Sequence, residues 1–243
     1  VFATVHVTLT GGAFQTGFAL MLGASSFWMG VLGAIPTFCG LVQIVSSYFV
    51  ERVGERRRIT GWFSRASRAL WVPILLAPLF LGGSAAFTVF LALFLVSSVL
   101  LHVPVPAFTS WLSDLVPPDH RGRFFGRRSM LAALTTLVVS LPAAAFLDLA
   151  TKRRVFPERA AFAVLFGVAV VGGFASFLQL RRQAEPPMNR SVGALEGGLR
   201  GVLRFYRAID FADMAKELQD KIEPILADVR KVTQSINDPE GDI

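Results

Sequence analysis

The chain has 243 residues, of which 53% are hydrophobic and only 17% charged, with a mean hydropathy of +0.55. That balance excludes an ordinary water-soluble core inside a polar shell and points to an integral membrane protein in a lipid bilayer. The net charge of +7 would suit a nucleic-acid partner, but the basic residues sit in loops between apolar runs and form no aromatic-interleaved patch, so none is expected.

The first residues, "VFATVHV", lack both a Met and a basic region ahead of the first apolar run. This reads against a cleaved signal peptide and for a start that lies further upstream. Six apolar runs reach the ~20 residues that a helix needs to cross ~30 Å of hydrocarbon. They cover 2–23, 27–50, 66–82, 85–107, 129–149 and 160–180. Their separators alternate between short uncharged turns ("GASSF", "GGSA") and longer charged loops at 51–65 and 112–128, the pattern of antiparallel helical hairpins. The single Cys39 falls inside the second run and can form no intrachain disulfide.

Loop charge gives an orientation, because cytoplasmic loops carry an excess of Lys and Arg. One side collects Arg52, Arg56, Arg57, Arg58, Arg65, Arg68, Arg121, Arg123, Arg127, Arg128, Arg181 and Arg182, while the other has only Lys152, Arg153, Arg154 and Arg159. Twelve against four makes the first side cytoplasmic. Residues 1–182 hold 16 basic and 6 acidic side chains, whereas residues 183–243 hold 8 and 11, so the character changes at "RRQAEPPMNRS" (181–191). Three domains are expected: a six-helix transmembrane part at 1–182, a linker at 183–204 with Pro186 and Pro187, and an amphipathic helical tail at 205–243 on the cytoplasmic side. Met214, Leu218, Ile222, Ile225, Val229, Val232 and Ile236 recur in the tail at steps of three and four.

The first charged hinge, "SYFVERVGERRR" (47–58), resembles the loop between the second and third helices of the major facilitator superfamily. Glu51 stands for the family's Asp, and Arg52, Gly54, Arg56 and Arg57 match, while Ser47, Phe49 and Glu55 depart from the pattern. "LGASSFWMGVLGAIP" (22–36) is similar to the family's first turn and second helix. "SDLVPPDHRGRFFGRRS" (113–129), with Asp114, Arg121 and Gly122, is similar to its loop from helix four to five. The resemblance spans about 1–182 and implies the N-terminal six-helix half of a secondary transporter in a bacterial inner membrane. It further implies that Glu51, Gly54 and Arg56 contact the end of helix four through Asp114, closing a latch that breaks during alternating access. From the residues alone, Gly54 permits the positive φ of a chain reversal. The plainer reading of Arg57 and Arg58 is an anchor facing lipid headgroups.

Polar side chains inside a span are costly and therefore functional candidates. Gln15 and Thr16 on the first helix, Gln43 on the second and His102 on the fourth are candidates for a substrate cavity, although such groups also serve as interhelical hydrogen bonds. Arg68 is expected to snorkel to the interface. Gly30 with Ala34, Ala19 with Gly23 and Gly172 with Ser176 give the small-xxx-small spacing of close helix contacts. With no GxSxG, no phosphate-binding glycine loop and no His pair at metal-ligand spacing, neither an enzyme nor a cofactor or metal site is expected.

A complete transporter of the resembled family has twelve helices with the solute between two halves. This chain would then be a fragment or fusion, would pair as a homodimer or with a second six-helix half, or would have ceased to transport. "IEPILADVRKVTQSINDPEGDI" (222–243) is weakly similar to helices of MCE-type lipid-trafficking proteins, which favours a fusion. The expected function is movement of a small solute by alternating access. The alternative is a non-transporting scaffold that presents its C-terminal helix to a protein partner.

Overall fold

The computed structural model describes residues 1–153 and 157–180, together with the helical positions Gln219, Glu223, Pro224 and Ala227. The side chains of Glu51 and Arg153 fall outside that description, as do the expected linker and the rest of the tail helix. Among the described residues up to Leu180, ten α-helices follow one another: α1 (Phe2–Thr10), α2 (Gly12–Met21), α3 (Ser26–Gly40), α4 (Val42–Val53), α5 (Arg56–Ala69), α6 (Trp71–Phe80), α7 (Gly83–His102), α8 (Val105–Leu115), α9 (Arg121–Arg153) and α10 (Glu158–Leu180). A 3-10 turn, Pro118–His120, precedes α9, and no strand occurs among the described residues.

Glycine and proline explain where the longer runs divide. Gly11 is extended (φ −126°, ψ −177°) and separates α1 from α2; a Cβ there would stand 2.9 Å from the Val7 carbonyl oxygen. Pro36 inside α3 cannot donate to the Leu32 carbonyl, and Pro104 lies between α7 and α8. Neighbouring helices in a membrane bundle tolerate such interruptions. Where only one or two residues intervene and the backbone stays near helical values, the path continues. Four stretches among the described residues are long and apolar enough to cross a bilayer: Ser26–Val50, Gly83–Leu115, Pro118–Lys152 and Glu158–Leu180.

The two remaining expected spans differ. Residues 2–23 are split at Gly11 into helices of 9 and 10 residues. Residues 66–82 are divided at Leu70, leaving the ten-residue α6, about 15 Å long, as the apolar part. Its predecessor α5 carries five arginines, which keeps its hydropathy low.

Packing is centred on α10, which lies against α1, α5, α6 and α9. Phe18 of α2 is the hub: its ring centroid lies 5.1 Å from that of Phe90, 5.6 Å from Phe162 and 4.9 Å from Phe166, all edge-on. Trp71 extends the cluster to Phe166 at 5.0 Å. Edge-to-face rings avoid the repulsion of stacked faces and suit the close packing available between helices. By contrast, α9 exposes Met130, Leu131, Leu134, Leu137, Val138 and Leu141 along its length.

Small residues matter at two places on α10. At Gly172 a Cβ would stand 3.3 Å from Val5 Cγ1. At Gly173 it would stand 2.8 Å from Arg68 Cδ and 3.1 Å from His6 Nδ1. Of the three small-xxx-small pairs, Gly172 with Ser176 therefore lies at a close approach, whereas Gly23 and Gly30 face open space. Between α5 and α7, Ser67 and Ser97 exchange hydrogen bonds: Ser67 Oγ donates to the Ser97 carbonyl (2.9 Å) and Ser97 Oγ to the Ser67 carbonyl (3.0 Å).

Gly173→Leu should lower stability by about 1–3 kcal/mol, because the side chain must displace the His6 ring and the Arg68 stem. Gly30→Leu, entering open space, should leave it nearly unchanged. Thermal unfolding of the two variants in detergent compares them directly.

Candidate functional site

The hinge between α4 and α5 is built by Gly54. It adopts the left-handed conformation (φ 76°, ψ −10°), and its N–H donates to the Val50 carbonyl (2.9 Å), closing α4. Only glycine takes that φ without steric cost, so the chain reverses within two residues. Glu55 then precedes α5, whose first turn holds Arg56, Arg57 and Arg58. Cations at a helix N-terminus oppose the helix dipole, so these positions require compensation from elsewhere.

For Arg56 the compensation comes from α8. Its side chain is fully buried, and Nη1 donates to Asp114 Oδ2 at 2.6 Å and to Ser110 Oγ at 2.9 Å. Ser110 and Asp114 are four residues apart on one face of α8. Asp114, in the last turn of α8, is itself misplaced for its own helix dipole. Each charge thus offsets the other's unfavourable position. The Asp114 carboxylate remains 37% exposed, so water still reaches one partner of the pair.

The rest of the hinge is more open. Arg58 pairs with Glu55 at 3.0 Å on the surface, and Arg52 reaches Tyr48 Oη at 3.5 Å. Arg57 is half-buried on α5. Arg121 Nε donates to the Ser113 and Val116 carbonyls (3.1 and 3.2 Å), capping the end of the helix that carries Asp114. Gly122 is exposed, with nothing within 4 Å of the space a Cβ would fill.

The structure therefore brings together Gly54, Arg56 and Asp114, with Arg121 beside them, and adds Ser110, which the sequence reading did not single out. A Ser four residues before an Asp near a helix end was the only available signal. The four cavity candidates lie on α2, α4 and α7. Gln15 is buried on α2, Thr16 is exposed one residue later, and Gln43 is half-buried on α4. His102 Nδ1 donates to the Ser98 carbonyl of its own helix (2.7 Å). No hydrogen bond among the described residues joins any two of them.

Arg68 packs its stem between α5 and α10. It is buried, its stem lies against Gly173, and its Nε has no hydrogen-bond partner among the described residues. The absent side chain at Gly173 makes room for it in the α5–α10 contact, so the stem follows the neighbouring helix. His6, beside it, donates from Nδ1 to the Ala169 carbonyl (3.0 Å). No cluster of three or more potential metal ligands occurs among the described residues.

No known protein family matches the chain, and no characterised protein or solved structure matches it either.

The asymmetric burial of the pair predicts asymmetric variants. Asp114→Ala takes the α8 carboxylate away from the buried Arg56 cation and should cost about 3 kcal/mol. Arg56→Met fills the same space with an apolar chain and leaves a carboxylate that water already reaches, so it should cost clearly less. Unfolding midpoints for both should rank in that order, and the reverse ranking would contradict the role given to burial.

Proposed function

We propose that the chain belongs to a secondary transporter that moves a small solute by alternating access, and that it supplies one six-helix half of the working unit. The second half is a further six helices or a second copy. On this reading the helix pairs α1–α2 and α5–α6 complete the six passes, and the arginine-rich end is cytoplasmic, following the charge asymmetry of the loops. The observation that carries the reading is the buried Arg56–Asp114 pair between the α4–α5 hinge and the end of α8.

An ion pair whose carboxylate is partly hydrated is suited to a latch. Its two partners stabilise one arrangement of the helix ends, and hydration of Asp114 lowers the cost of separating them. A fully dry pair would hold the ends too firmly, because parting it would strand two charges without water. The reversal at Gly54 supplies a pivot, since a two-residue link between α4 and α5 changes direction without unwinding either helix. Glu51 and Arg52, in the last turn of α4, would reinforce the same end of the bundle.

The test is a charge exchange in proteoliposomes, using the intact protein and a broad solute panel. On whichever solute is carried, Arg56→Asp and Asp114→Arg should each reduce uptake by about tenfold or more, equivalent to ~1.4 kcal/mol, and the double exchange should recover most of it. Folded single and double variants with equal losses would remove the latch. A wild-type protein that carries no solute would remove the transport reading.

A further inference from the structure

The groove between α5 and α10, at the arginine-rich end, lies outside the latch. It encloses about 340 Å³ and is lined by Glu55, Arg57, Arg58, Gly61, Trp62, Arg65, Phe177 and Leu180. Among the described lining residues, three guanidinium groups stand beside one carboxylate. Trp62, Phe177 and Leu180 make its wall apolar.

Arg65 is held in place by two aromatic rings and a backbone carbonyl. Its guanidinium carbon lies 4.2 Å from the ring centroids of both Trp62 and Phe177, and Nε donates to the Gly61 carbonyl (3.1 Å). Two aromatic faces fix the plane of the cation, and the described residues give Arg65 no carboxylate. Gly61 forms the close side of the groove: a Cβ there would come within 3.2 Å of the Phe177 ring. Arg58 has a carboxylate in Glu55, but both side chains are more than half exposed, so that pair holds it weakly and can open to another anion.

We propose that this groove binds the phosphate headgroup of an anionic phospholipid in the leaflet that meets the arginine-rich end. The oxyanion would sit among Arg57, Arg58 and Arg65, where guanidinium forks match phosphate geometry. Its glycerol and upper acyl chain would follow Trp62, Phe177 and Leu180. A free phosphate shares the charge chemistry but has no use for the apolar wall. Placement favours the lipid as well: Leu180 ends a helix long and apolar enough to cross the bilayer, and Trp62 is 60% exposed, as expected of an indole at a membrane–water boundary. Arg181 and Arg182 follow Leu180 directly in the sequence.

Native mass spectrometry of the full chain released from phosphatidylcholine nanodiscs containing phosphatidylglycerol tests this. The wild type should retain phosphatidylglycerol over phosphatidylcholine. Arg57→Gln with Arg65→Gln, and separately Arg57→Gln with Arg58→Gln, should weaken retention by roughly tenfold or more. Arg123→Gln with Arg127→Gln, which removes the same charge from exposed positions on α9, should leave it unchanged, and millimolar inorganic phosphate should not displace the lipid. If the first variant does not fold, the second decides, since Arg58 is a surface residue. Equal retention in the groove and α9 variants would overturn the site, as would full displacement by inorganic phosphate.

Discussion

A cation cannot be stranded in a low-dielectric interior, and the arginine-rich end of this bundle is organised around that constraint. Arg56 has no exposed surface, so its charge must be met by protein. Asp114 and Ser110 meet it from one face of α8, which fixes how the start of α5 lies against that helix. Gly54 follows from the same requirement: to bring Arg56 under α8 so soon after α4 ends, the chain must turn through a left-handed residue. Arg121, holding the last carbonyls of α8, keeps the helix that carries Asp114 intact up to its final turn.

The opposite design choice governs the middle of the bundle. There the contacts are aromatic edges and small residues, with Phe18 against three phenylalanines and Gly172 and Gly173 admitting α1 and α5 to α10. Hydrocarbon supplies little hydrophobic drive between helices, so close van der Waals fit and hydrogen bonds such as the Ser67–Ser97 exchange carry the association. Polar geometry is thus specific at one end, while shape complementarity dominates elsewhere.

Much of the fold was legible in the sequence because hydrocarbon thickness sets a length that apolar runs must meet. The runs at 27–50, 85–107, 129–149 and 160–180 all fall within stretches able to cross a bilayer. The divisions at Gly11 and Leu70 were not legible. Gly is common in membrane helices, so hydropathy does not mark the extended Gly11, and Leu70 keeps dihedrals near helical values (φ −65°, ψ −19°) and carries no breaker signal. The contact between Arg56 and Asp114 was reachable through the motifs on either side of it. Ser110 was not, since a serine in an apolar run has the same signature whether it hydrogen-bonds its own helix or a neighbouring side chain. The room for the Arg68 stem was not legible for a related reason: Gly173, which supplies it, lies on a helix more than 100 positions away in sequence.

The three groups of arginine on α5 therefore represent three distinct physical solutions along one short helix. Arg56 is buried and met by a carboxylate from another helix. Arg65 is clamped by two aromatic faces at the rim of a groove and remains electrostatically available. Arg68 is buried against Gly173 and His6, with its Nε unmatched by any described acceptor. Positive charge in loops explains why such residues cluster at this end of the bundle, but it does not distinguish among these environments. The neighbouring helices do: α8 offers an acid, the end of α10 offers an aromatic ring, and its interior offers only the space left by a glycine. Burial at this end is accordingly graded, with Arg56 enclosed between α5 and α8 and Arg65 at the rim of the groove.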